Sequence, residues 1–178
     1  MSERLESLIA PEQIRDRVGE LARQIEEDHR GAPLTLVIVL KGAAVFAADL
    51  MRQISIPFVV DFIGASSYRD RTYSSGTILI GDRSGLDIRD RHVVVVEDIV
   101  DTGLTIRAIL TELRALGPAS LEVCALLRKQ VPGARPVEIR YEGFEVPDVF
   151  VVGYGMDYAE RHRNLPGVCA LILSEPNR

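Results

Sequence analysis

The sequence predicts an α/β fold with a mainly parallel central sheet flanked by helices. Short apolar runs rich in β-branched residues recur along it, notably LTLVIVL (34–40), VVVV (93–96) and SLEVCALL (120–127). Segments with helical spacing of apolar residues lie between them. The runs are continuous rather than alternating, so both faces of each strand are buried, the habit of parallel strands covered by helices on each side.

The elements follow in order. Residues 11–28 carry Ile14, Val18, Leu21 and Ile25 with charged residues between, and Pro11 suits a first helical turn. The run at 34–40 is a strand, Lys41-Gly42 a tight turn, and AAVFAADLMRQI a second helix. PFVVDFI (57–63) and GTILIGD (76–82) read as strands separated by the polar ASSYRDRTYSS. A connection of that length suits a functional or mobile loop, with a plain flexible hairpin as the other reading. After VVVV come a loop and a helix on Leu104, Ile106, Ile109, Leu110 and Leu113, ending near Gly117-Pro118. SLEVCALL and VFVVG (149–153) supply further buried strands. The last segment, 156–174, is expected to form an irregular cap over the C-terminal edge of the sheet, where open α/β sheets place their ligands.

Composition narrows the class of function. With 178 residues the chain suits one domain, and its 47% hydrophobic and 26% charged content is ordinary globular usage. A net charge of -5 argues against a nucleic-acid partner. No apolar run is long enough to cross a bilayer, and the N-terminus lacks an apolar core of signal-peptide length, so a cytoplasmic protein without a membrane partner is expected. Cys124 and Cys169 sit in apolar runs and read as small buried hydrophobes. His29, His92 and His162 are isolated in sequence and are assigned to surface or strand-end positions.

Chemistry concentrates in VVVVEDIVDTGLT (93–105). Here a buried strand stops at two adjacent carboxylates, Glu97 and Asp98, and a short hydroxyl- and glycine-rich loop opens directly into a helix. Backbone N–H groups at that helix start, with Thr102, Gly103, Leu104 and Thr105, can cradle a phosphate that the helix dipole favours. Gly103 allows close approach of backbone to the anion. Paired acids beside a phosphate nest repel the phosphate unless they serve its sugar or a cation. Glu97 and Asp98 can accept hydrogen bonds from two ribose hydroxyls, so the loop reads as a ribose-phosphate site. An ordinary helix start capped by Asp101 or Thr102 stays open on these residues alone.

As a whole, VVVVEDIVDTGLT resembles the signature of the type I phosphoribosyltransferases, in particular their hypoxanthine-guanine branch, and the similarity extends from Leu36 to about Ser174. The resemblance implies the type I fold, with a core over about 34–153 and a small hood built from the chain termini, its C-terminal part over about 154–178. It implies that Leu40-Lys41-Gly42 is a diphosphate loop, and it leaves open a cis peptide before Lys41. Ser67 and Tyr68 match the Ser-Tyr pair of a mobile loop that folds over the site and excludes water. Lys129 matches a lysine that donates to the 6-oxygen of a purine, a choice that rejects a 6-amino group because an ammonium only donates. Phe150 matches the ring that stacks on the base, Val151 a backbone contact to its edge, Asp157 a carboxylate near a metal and the purine pocket, and Arg163 a cation for the diphosphate. Met156 and residues 159–162 offer no chemistry to assign.

The activity so implied joins 5-phosphoribosyl 1-diphosphate to a 6-oxopurine base, hypoxanthine or guanine, as a step of purine salvage. Mg2+ is the implied cofactor, with Glu97, Asp98 and Asp157 as its carboxylates. Asp101 is the candidate catalytic base for the proton on purine N7. A homodimer or homotetramer is the implied assembly. Two alternatives remain at this point: a xanthine-preferring enzyme of the same class, and a non-catalytic RNA-binding regulator on the same fold.

Overall fold

The computed structural model describes residues 2–67, 78–80 and 85–174. Its order is β1 (Ser2–Ile9), α1 (Pro11–His29), β2 (Leu34–Leu40), α2 (Ala44–Gln53), β3 (Phe58–Ser67), β4 (Ile78–Ile80), β5 (His92–Val100), α3 (Leu104–Arg114), β6 (Ser120–Lys129), β7 (Tyr141–Val146), β8 (Val151–Val152) and β9 (Val168–Ser174). Six strands form the central sheet in the order β4-β3-β2-β5-β6-β7. All its neighbours pair in parallel except β3 with β4.

The continuous apolar runs are explained by two cores, one on each face. Leu34, Leu36 and Ile38 of β2, with Val94 and Val96 of β5, pack against α1 and α2 through Ile14, Leu21, Ile25, Phe46 and Leu50. The alternate residues Val37, Val39, Val93 and Val95 pack against Ile106, Ile109 and Leu113 of α3. Alternation along a strand sends successive side chains to opposite faces, so a strand covered twice needs apolar residues at every position. None of the helices among the described residues is long and apolar enough to cross a membrane.

Several expectations are corrected. The segment at 156–174 is not an irregular cap throughout, because 168–174 is strand β9, antiparallel to both β1 and β8 in a separate three-stranded sheet. Its partner β1, SERLESLI, mixes charged and apolar residues without a period of two and leaves residues 3–8 exposed, so no strand pattern shows in the sequence. Strand β7 is interrupted by Gly143, where a methyl group would stand 2.2 Å from the carbonyl oxygen of Leu126 on β6. Gly143 lowers strand propensity yet is required by the close approach of two backbones.

His29 is buried, not on the surface. Its Nε2 lies 3.1 Å from both Glu122 Oε2 and the Tyr141 hydroxyl, at the N-terminal edge of the sheet. His92 begins β5 and contacts Ser120 Oγ at 2.8 Å, a strand-end position as expected. His162 is close to Glu3 of β1. Cys124 is fully buried, which pushes its thiol pKa upward, whereas Cys169 is half-buried.

Candidate active site

The site lies where β2, β5 and β6 end, and its parts come from segments far apart in sequence. Strand β5 does not stop at the acid pair. It continues to Val100, because Ile99 and Val100 go on pairing with Leu127 and Arg128 of β6. Glu97 and Asp98 therefore sit within the strand, on opposite sides of its backbone. Glu97 is only 6% exposed. Burial, with the Asp98 carboxylate beside it, pushes the Glu97 carboxyl well above the usual range. Asp98 points to the turn after β2, close enough that a methyl group on Gly42 would meet its Oδ2 at 1.9 Å.

The Leu40–Lys41 peptide that opens this turn is cis. On its far side the turn leans on Gly155, where a methyl group would stand 2.2 Å from the Gly42 carbonyl oxygen. Two glycines thus let the turn after β2 pack between the Asp98 side chain of β5 on one side and the backbone after β8 on the other.

Beyond Val100, residues 101–103 form a bend, and Gly103 takes a left-handed conformation (φ 77°) as the N-cap of α3. No side chain caps this helix. Asp101 and Thr102 are therefore not its caps, and the N–H groups of the first turn remain available to an anion at the positive end of the dipole. The bend is braced from outside: Arg135 N donates to Thr102 O at 3.0 Å, and a methyl group on Gly103 would meet Arg135 O at 2.6 Å.

Instead of capping, Asp101 faces β6. Lys129 Nζ donates to Asp101 Oδ2 at 3.2 Å and lies 3.9 Å from Asp148 Oδ1. The Lys129 side chain is 11% exposed and that of Asp101 36%, so the ammonium end is withdrawn from water while the carboxylate stays open to an incoming group. Asp148, which the sequence reading does not single out, gives the ammonium a second carboxylate. Phe150 stands at the entrance, 41% exposed, its ring edge-on to Tyr158 with centroids 5.5 Å apart. An exposed aromatic face beside a charged pair is a surface suited to a flat ring. Val151 is buried at the start of β8, level with Ala170 of β9.

Arg163 completes the rim. Its guanidinium donates to Gly155 O at 2.7 Å and contacts Asp157 Oδ1 at 2.7 Å and Glu160 Oε2 at 3.1 Å. The other oxygen of Glu160 accepts from Lys41 Nζ at 3.2 Å. The carboxylates of Glu97 and Asp98, near the C-terminal end of β5, are hard oxygen donors suited to Mg2+ in company with substrate oxygens. Among the described residues no cluster of three or more His, Cys, Asp or Glu side chains could hold a metal by itself. Asp157, the third carboxylate expected for the metal, pairs with Arg163.

The structure thus gathers Lys41, Gly42, Glu97, Asp98, Asp101, Thr102, Gly103, Leu104, Thr105, Lys129, Phe150, Val151, Asp157 and Arg163 along the ends of β2, β5, β6 and the start of β8. Ser67 ends β3, its backbone opposite Ile78 of β4. Tyr68 lies outside the described residues. Glu160, passed over in the sequence, joins two of the gathered cations.

Comparison with known proteins agrees with this geometry. Residues 6–159 match the phosphoribosyl transferase domain family. The chain is 45% identical over 164 residues to the hypoxanthine-guanine phosphoribosyltransferase of Mycobacterium avium, covering 89% of this chain and 81% of that one. It is 41% identical over 177 residues to the hypoxanthine phosphoribosyltransferase of Salmonella typhimurium, covering 97% and 98%. A crystal structure of a hypoxanthine-guanine phosphoribosyltransferase from Bacillus anthracis superposes with a TM-score of 0.86 at 39% identity, covering 97% of this chain and 100% of that one. With a matching fold, a family match over most of its length and relatives aligned almost end to end, this chain belongs to the phosphoribosyl transferase domain family, in its hypoxanthine-guanine branch.

Proposed function

We propose that this protein is a purine salvage enzyme that transfers the 5-phosphoribosyl group from 5-phosphoribosyl 1-diphosphate to hypoxanthine or guanine, giving IMP or GMP and diphosphate. The observation that carries the reading is the pairing of Lys129 with Asp101 at 3.2 Å. N7 and the 6-oxygen share one edge of a 6-oxopurine. A donor and an acceptor that lie side by side in the free protein match that edge, with Lys129 to the oxygen and Asp101 to the N7 proton. An adenine presents an amino group there, which an ammonium cannot accept from.

In this mechanism the bond between ribose C1′ and the diphosphate breaks, and purine N9 forms the new bond to C1′. The N7 proton passes to Asp101 as the base becomes a nucleotide. The N–H groups at the start of α3, with Thr102, Gly103, Leu104 and Thr105, hold the 5-phosphate. Glu97 and Asp98 take the ribose hydroxyls, and Lys41, Gly42 and Arg163 take the diphosphate. Phe150 stacks on the base. The backbone of Val151 meets its edge, with Asp157 nearby. Ser67, at the end of β3, and Tyr68 shield an oxocarbenium-like C1′ from water in this reading. Glu97, Asp98 and Asp157 would hold Mg2+, which would supply positive charge to offset that of the leaving diphosphate. Much of the rate then comes from positioning and fixed charge.

The whole chain acts in this reading as one cytoplasmic catalytic domain, with a core over about 34–153 and a C-terminal hood over about 154–178 that β1 completes. It works as a homodimer or homotetramer. Exposed Val45, Val59 and Phe62 offer apolar surface for a second copy. The test is to supply the purified protein with 5-phosphoribosyl 1-diphosphate, Mg2+ and one base at a time, and to follow diphosphate release. Turnover with hypoxanthine or guanine and none with adenine is expected. A higher kcat/KM for xanthine than for either would replace the substrate assignment, and no release with any base would remove the activity.

A further inference from the structure

The turn at 157–163 has the most constrained backbone near the site. Ala159 and Glu160 take positive φ in succession (51° and 60°), and His162 does so again at 75°. Residues with side chains rarely adopt that region, and they hold it where surrounding structure dictates it. Here Glu160 N donates to Asp157 Oδ2 at 2.8 Å, and Tyr158 and Arg161 exchange backbone hydrogen bonds. The outcome is a fixed aim for the Glu160 side chain.

That side chain uses both its oxygens, one on each of two cations from distant segments. Oε1 meets Lys41 at 3.2 Å and Oε2 meets Arg163 at 3.1 Å. It is 67% exposed, so core packing does not account for its placement. Arg163 does not need it for orientation, since Gly155 O and Asp157 already tether the guanidinium. A carboxylate that divides its oxygens between two cations imitates an anion with several oxygens.

We propose that Glu160 is a built-in competitor for the diphosphate: it holds Lys41 and Arg163 in the free site, yields to the incoming sugar diphosphate, and helps to expel the diphosphate product. The inference rests on the assignment of Lys41 and Arg163 to the diphosphate subsite. Exposed ion pairs each change an equilibrium by less than about tenfold, so the contact is weak enough to be displaced. Once displaced, the Glu160 charge still repels the anion at short range.

The experiment is calorimetric titration of the full chain with inorganic diphosphate in the presence of Mg2+, alongside steady-state kinetics. Glu160→Gln keeps the shape and removes the charge, and it is expected to bind diphosphate about three- to tenfold more tightly, with a lower KM for the sugar diphosphate and an unchanged KM for the purine. Glu160→Asp keeps the charge and suits a left-handed backbone, so it should stay within about twofold of the unaltered protein. Damage to the turn would weaken binding, the opposite sign. Equal or weaker binding by Glu160→Gln, or equal tightening by Glu160→Asp, overturns the role of Glu160 alone. An unaltered protein that binds no diphosphate overturns the subsite assignment and this inference together.

Discussion

Gly42→Ala tests how closely the turn after β2 and the acid pair of β5 are fitted. A methyl group at position 42 would stand 1.9 Å from Asp98 Oδ2 and 2.6 Å from its Cγ, and real contacts of this kind stay above 3.0 Å. About 1 Å of separation has to be found. The turn cannot supply it by retreating, because its far side already meets Gly155, where a methyl group would lie 2.2 Å from the Gly42 carbonyl oxygen. Gly42 is not among the glycines with positive φ, so the backbone itself does not resist alanine. Either Asp98 swings away from its place beside Glu97, or the turn shifts out of line with Arg163. A 1 Å misplacement of positioning groups can cost about 100-fold in rate, close to 2.7 kcal/mol. The expected result is a fall of that order in kcat/KM for 5-phosphoribosyl 1-diphosphate, followed by IMP formation. The position is at the rim of the core, so thermal unfolding by circular dichroism should shift by no more than a few degrees. A kcat/KM within about twofold of the unaltered protein would refute the close fit, and collapse of the melting transition would refute the claim that the effect is local.

Other perturbations probe separate parts of the argument. Asp101→Asn should lower kcat by about 100-fold or more without loss of fold, and near-normal turnover would remove Asp101 from the role of base. Tyr154→Phe removes a hydrogen bond of 2.7 Å from a buried hydroxyl to Asp49, and should cost about 1 kcal/mol, read as a Tm lower by about 2–4 °C. An unchanged Tm would show that water replaces that bond without loss. Asp28 is held below the usual carboxylate range by Arg140 and then by the Tyr141 hydroxyl. Its contribution to stability is present above an unfolded-state pKa of about 3.9 and fades as pH falls through the lower native value. Asp28→Asn should therefore be less stable than the unaltered protein at neutral pH, with the gap in urea midpoint closing below about pH 4. A gap independent of pH would contradict this.

The signals that survived in the sequence are those set by local chemistry. Strands covered on both faces must be apolar at every position, so β2, β5 and β6 announce a parallel sheet, and a carboxylate pair running into Thr-Gly at a helix start marks a candidate ribose-phosphate site. Strands with one solvated side, or with a glycine dictated by a neighbour, give no such signal. Strands β1 and β7 therefore carry no strand signal of their own and β9 reads as irregular chain, because their pairing depends on partners more than a dozen residues away in sequence. The same holds for His29, polar in sequence yet buried because Glu122 and Tyr141 arrive to meet it.

Residue types by themselves determined a parallel α/β sheet covered by helices on both faces, with an acid pair followed by a Thr-Gly turn into a helix. Only the tertiary structure decided that Asp101 turns to Lys129 instead of capping α3, that Gly42 is pressed between the Asp98 carboxylate and the backbone at Gly155, and that Glu160 bridges Lys41 and Arg163. Each of those is a contact between segments remote in the chain. Their energies depend on distances of a few ångströms that no local pattern encodes, and that only closure of the fold creates.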